Sequence, residues 1–147
     1  MKTIWHRDPR EELVARLTPL SASASPRFGR FSAPKMLAHV NDGLRMSLGD
    51  LRCGSKGGPL RYAPLRQLVI YAMPWPRGAP TAPELIARAP EGWDDEVAAF
   101  QALLDRFAAR SPSDAMPEHP AFGALSAKEW GVLGYRHVDH HWKQFGV

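Results

Sequence analysis

Cysteine is nearly absent from this chain of 147 residues. Cys53 is the single thiol, so no internal disulfide can form and a reducing compartment is expected. Long apolar runs are missing too, and nothing approaches the ~20 residues of a membrane span. The opening MKTIWHRDPREELVARL turns charged too early for a secretory signal. These absences predict a cytoplasmic protein with no membrane partner. Dense runs of one charge are also lacking. The net charge is +4, and the basic residues, among them Arg7, Arg16, Arg27, Arg45, Arg66 and Arg77, are scattered. No basic stripe of the kind that grips nucleic acid is visible, although a mildly basic surface still attracts small anions. Period-two alternation is scarce, which argues against a sheet.

Proline and glycine are plentiful, at 14 and 12 residues, and they divide the chain into segments. DPREELVARLTPL predicts a first helix with Asp8 as cap and Pro9 at the first helical position. FSAPKM opens a second, with Ser32 as cap and Phe31 and Met36 placed for a hydrophobic staple. It runs to about Leu48 and stops at Gly49. Residues 51–63 read as an irregular excursion. PLRQLVIYAM reads as a short apolar helix, with a strand as the alternative. PWPRGAP, with three prolines, can be neither helix nor central strand. TAPE offers a capping box, Thr81 with Glu84, before a short helical turn. GWDDEVAAFQALLDRFAAR is the clearest helix, with Trp93, Val97, Phe100, Leu104 and Phe107 at helical spacing. Its acidic first turn and basic last turn suit the helix dipole. Ser126 with Glu129 caps the last helix, and Leu125 with Trp130 can staple it. Four principal helices, with a long irregular connection between the second and third, predict an all-α four-helix bundle. Its length suits a single domain over residues 1–147, large enough to bury a core without disulfides or a structural metal.

Three of the six histidines fall in YRHVDHHWKQFG, residues 135–146. At ~100° per residue, His137 and His141 lie ~40° apart on one helical face. Trp130, Leu133, Gly134 and Gln144 share that face, His140 lies toward its edge, and Asp139 points away. Two histidines four apart can hold one metal ion; core-edge or exposed histidines are the alternative. His39, mid-helix in KMLAHVNDGLRMSLG, shares its face with Met36, Gly43 and Met46. Gly43 costs the helix ~1 kcal/mol relative to alanine, which makes sense if an imidazole needs the space. A lone core histidine is the alternative for His39. Asp42 offers a carboxylate to orient a histidine or act as a base, unless it is simply solvated. Gln144 can bond a ligand or a metal-bound water, or bridge helices as a buried amide. Trp75 and Arg77, in a stiff proline-rich loop, can wall a pocket and meet an anionic substrate; a packing loop is the blander reading. Met36, Gly43, Trp75, Arg77 and His140 are thus the expected pocket residues. His119, before Pro120, reads as structural, and Cys53 stands outside every motif.

LAHVNDG around His39, and HVDHHWKQ with His137, His141 and Gln144, resemble the two histidine elements of the DinB/YfiT-like superfamily of four-helix metalloenzymes. RFGRFSAPKMLAHVNDGLRMSLG, PWPRGAPTAPE and HPAFGALSAKEWGVLGYRHVDHHWKQFGV resemble an uncharacterised, domain-of-unknown-function branch of it. The similarity runs from about residue 27 to the end, with the first helix matching only loosely. Trp142 and Lys143 replace the Arg-Gly that usually precedes the glutamine. The resemblance implies an up-down-down-up bundle in which His39, His137 and His141 hold a divalent metal, zinc or nickel. His140 competes for a ligand place at i, i+3 spacing. A homodimer is also implied, with apolar residues such as Trp142 available for its face.

Three neutral imidazoles leave open positions on a divalent ion, as catalytic sites do more often than structural ones. The resemblance implies S-transferase chemistry on a small molecule, using a low-molecular-weight thiol; hydrolysis is the other reaction such a site supports. Outside catalysis stand a metal- or ligand-binding stress-response protein and a helical interaction module.

Overall fold

Six α-helices and no strand make up the computed structural model, which describes residues 1–147. In chain order they are α1 (Arg7–Leu17), α2 (Ala33–Leu48), α3 (Leu65–Tyr71), α4 (Glu84–Ala87), α5 (Trp93–Ala108) and α6 (Ala127–Phe145). A short 3-10 turn at Pro59–Arg61 interrupts the irregular stretch after α2. No helix is long and apolar enough to cross a membrane.

The two site-bearing helices start as their sequences predict. Ser32 Oγ accepts from the Lys35 N–H at the head of α2, and Gly49, at φ 88°, ends it. At the head of α6, Ser126 Oγ accepts from the Glu129 N–H while the Glu129 carboxylate accepts from the Ser126 N–H, a complete capping box. PLRQLVIYAM resolves as helix rather than strand, and Arg136 of α6 donates to the carbonyls of Val69, Ile70 and Met73 at its end.

Two expected starts are corrected. α1 begins at Arg7 with His6 in the cap position, so Asp8 and Pro9 both lie inside the first turn. Proline is tolerated there because first-turn N–H groups have no helical partner anyway. The Thr81–Glu84 capping box does not form. α4 begins behind Pro83, and Glu84 Oε1 instead accepts from the Gly54 N–H at 2.9 Å. The carboxylate ties down the irregular stretch rather than its own helix.

α2 packs on α5 and α6, α1 packs on α6, α4 leans on α2, and α3 on α6. The main core gathers Leu13 and Leu17 of α1, Met36, Leu37 and Val40 of α2, Phe100, Leu104 and Phe107 of α5, and Val138 and Trp142 of α6. Trp142 is fully buried, its ring 5.3 Å from that of Phe100 and its N–H donated to Leu13 O at 2.8 Å. It is therefore not the exposed dimer-face residue expected from the sequence. A second cluster, with Ile70, Leu85, Phe122 and Trp130, joins α3, α4 and the loops to the other side of α2 and α6.

A buried ionic group fixes the α4–α5 junction. Glu96 binds Arg88 at 2.5 Å, the Glu91 N–H at 3.0 Å and Asn41 at 2.8 Å. Burial alone would raise the Glu96 carboxyl; Arg88 and the two hydrogen bonds outweigh it and hold the group below its ordinary value.

Candidate metal centre

α2 supplies His39, and α6 supplies His137 and His141. One ring nitrogen of each lies within 4.8 Å of the others. His39 and His141 are buried and His137 is half-buried.

Hydrogen bonding fixes which nitrogens are free. His39 Nδ1 lies 3.0 Å from Leu85 O. Only an N–H can bond a carbonyl, so Nδ1 carries the proton and Nε2 keeps its lone pair. Gln144 Nε2 donates to Phe28 O at 2.9 Å, which sets the amide orientation. Its Oε1 then accepts from His141 Nδ1 at 2.8 Å, leaving the lone pair on His141 Nε2. Gly29, at φ 81°, turns the loop beside this amide, and a Cβ there would stand 2.3 Å from Gln144 Nε2. His39 Nε2 and His137 Nε2 are 2.9 Å apart.

These residues fit a divalent ion. Zn–N bonds of ~2.0–2.1 Å place ligand nitrogens ~2.9 Å apart at a right angle and ~3.4 Å apart at a tetrahedral angle. The His39–His137 spacing matches, and a spread of 4.8 Å has to close below ~4.1 Å for all three to share one ion. Two of the three rings carry the backing acceptor that metal-binding histidines usually have. Burial keeps all three neutral, as ligation requires. It pushes His141 down to about 3, with His39 adding to the effect. It lowers His39 and drives His137 far below the ordinary histidine range. Gly43 makes room, since a Cβ there would stand 2.9 Å from His137 Cε1. The space it leaves is filled by His137, across the helix pair, rather than by its neighbour His39.

The cluster sits in the wall of a cavity of about 680 Å³, a size that suits a small organic molecule. Phe28, Phe31, Met46, Trp75 and Trp130 contribute its apolar lining, and no aspartate or glutamate lines it. Trp130, Leu133, Gly134 and Gln144 all face it together with the histidines of α6.

Other sequence candidates are distributed as follows. Gly43, Trp75 and His140 line the cavity; the His140 ring lies 5.3 Å from that of His141 and 5.9 Å from Trp75. Met36 does not; it is wholly buried in the main core. Arg77 lies outside the cavity, its guanidinium 4.6 Å above the Phe28 ring. Asp42 is turned away, bound to Arg45 at 2.7 Å and Arg88 at 3.2 Å. His119 accepts the Ala121 and Phe122 N–H groups on Nδ1 and closes its own loop, and burial lowers it to about 4. Cys53 stands in the loop after α2, its thiol pushed up by burial.

Sequence reasoning missed the carbonyls of Leu85 and Phe28, because main-chain acceptors from irregular segments leave no side-chain signature. It read Phe31 only as a staple, yet this ring lies 5.3 Å from His39 and 6.1 Å from His141.

Fold and site together define an all-helical protein with three convergent histidines in an apolar cavity. The chain belongs to the DUF1569 family, proteins of unknown function, whose family model matches residues 6–146. No curated protein and no solved structure matches the chain.

Proposed function

We propose that this protein is a metal-dependent enzyme acting on a small molecule, with a divalent ion, zinc or nickel, held by His39, His137 and His141. The carrying observation is the advance orientation of the rings: Leu85 O and Gln144 Oε1 bind the far nitrogens of His39 and His141, so both rings carry their lone pair on Nε2, where that of His39 meets His137 Nε2 at 2.9 Å. Once bound, the ion supplies Lewis acidity toward a thiolate or water. The chain itself orients two of the rings and flanks the cluster with Phe31, 5.3 Å from His39, and Trp75, 5.8 Å from His137. The reaction this favours is thiol-dependent S-transfer, with hydrolysis second. The LAHVNDG and HVDHHWKQ elements and the four longer helices are consistent with a DinB/YfiT-type, up-down-down-up bundle forming one cytoplasmic domain.

A second reading, binding without turnover, draws on one observation. No carboxylate lines the cavity, and Asp42 is engaged by Arg45 and Arg88, so the site has no acidic side chain to serve as a base. Cobalt-substituted protein titrated with glutathione, mycothiol and bacillithiol separates these readings. A thiolate charge-transfer band in wild type, absent in His141→Ala, supports the transferase. Turnover of a nitrophenyl ester without that band selects hydrolysis. Neither response, with metal bound, leaves the binding reading.

A further inference from the structure

We infer that the cavity takes an amphipathic anion, whose acidic group sits in a cationic vestibule at Arg27 and Arg77 and whose apolar body reaches the three histidines. This deepens the site of the proposed function by naming its ligand class.

The vestibule, about 480 Å³, adjoins the cavity and shares Phe28, Trp75 and His140 with it. Its remaining wall includes Arg27, Arg77 and Lys143, with no aspartate or glutamate. Basic residues that are scattered in sequence therefore converge at the mouth of the apolar space. Several arginines elsewhere are neutralised by carboxylates, Arg16 by Asp139, Arg45 by Asp42, Arg88 by Glu96 and Arg106 by Asp50, while Arg10 and Arg136 are taken up by main-chain carbonyls. Arg27 and Arg77 have no carboxylate partner, nor has Arg30 on the cavity wall.

Both arginines are positioned. Stacking on Phe28 holds the Arg77 guanidinium by its face and leaves its N–H edges for a planar acid. Arg27 donates its main-chain N–H to Gln144 O at 2.7 Å and Nη2 to Gly146 O at 3.3 Å. It is thus anchored to the same turn of α6 that orients His141. The nearby carboxylate, Asp139, is already engaged by Lys143 at 2.7 Å and by Arg16 at 2.8 Å. Trp75, between the two spaces, has a buried indole N–H with no acceptor. An acidic head outside this aromatic collar and an apolar body inside it match the charge and polarity of both spaces. Carboxylate and phosphoryl groups share the required chemistry.

The test uses two fluorescent probes of like shape, the anion 8-anilinonaphthalene-1-sulfonate and neutral N-phenyl-1-naphthylamine, with metal-free and zinc-loaded protein. Wild type is expected to bind the anion at least ten-fold tighter. Arg27→Gln combined with Arg77→Gln should erase that preference, leaving the neutral probe's affinity and the thermal midpoint unchanged. Should the double variant unfold, exposed Arg77→Gln alone should reduce the preference at least three-fold. Displacement by phenylphosphonate rather than phenylacetate identifies a phosphoryl head, the reverse a carboxylate, and displacement by neither overturns the inference. Equal affinity of wild type for the two probes, or a preference kept in the folded variants, overturns it as well. Zinc uptake without anion preference defeats this inference alone; anion preference without metal uptake defeats the metal chemistry alone.

Discussion

The two sides of the α2–α6 pair come from the same two helices and differ in character. Toward α1 and α5 the pair is filled, with Met36, Leu37 and Val40 on α2 and Val138 and Trp142 on α6 packed against Phe100 and Phe107. Toward α3, α4 and the loops a smaller core cluster, with Ile70, Leu85, Phe122 and Trp130, surrounds a cavity lined by Gly43 and by the imidazoles of His39, His119, His137, His140 and His141. On α6 the two characters alternate along the chain: His137 beside Val138, His141 beside Trp142. The larger core cluster lies on the filled side and the smaller one shares its side with the cavity and the neutral histidines.

Four substitutions or titrations test this division, in falling order of effect. Trp142→Ala empties the filled side and should cost about 3–5 kcal/mol in urea unfolding, while the folded fraction still takes up metal at full stoichiometry. Equal loss of metal affinity would mean that the two sides are not separable.

Acid should act on the loop beside the cavity through His119. Its folded value of about 4 lies below the ordinary ~6.5, so the unfolded chain binds the proton first. Stability is therefore full above about pH 6.5 and falls on acidification toward pH 4, by an amount on the order of 2–3 kcal/mol. His119→Asn keeps an oxygen acceptor for the loop N–H groups and should flatten that part of the profile. An unchanged slope by chemical denaturation at each pH would contradict the buried neutral imidazole.

Gln144→Leu removes the hydrogen bond that orients His141 and should weaken metal binding about 10–100-fold, as read by competition with a chromophoric chelator. Gly43→Ala should change stability by less than about 1 kcal/mol, because the helical gain of alanine opposes the crowding of His137. Its metal affinity should nevertheless fall measurably, as the Cβ presses on the His137 ring. A variant stabilised by the full alanine gain with unaltered affinity would show that the ring is free to move.

Local rules made much of this legible. The caps of α2 and α6 depend on residues three apart, and the facing of His137 with His141 depends on helical spacing, so both could be read along the chain. Features set by distant contacts could not. Asp42 finds Arg88, far away in sequence, so its proximity to His39 along α2 was misleading. Glu84 is taken by Gly54, which no capping pattern encodes. Trp142 looked exposed because α6 was assigned one buried face, and it has two. Met36 lies three residues before His39, about 60° around the helix, enough to put it on the filled side. Arg77 follows Trp75 closely, but its stacking on Phe28 carries it outside the cavity.

The most direct measurement is metal content by mass spectrometry on protein purified without a histidine tag, for wild type, His39→Ala and His141→Ala. About one equivalent of zinc, nickel or another divalent ion in wild type, lost in both variants, is the predicted result. No metal in wild type after reconstitution with zinc, nickel and manganese would contradict the account.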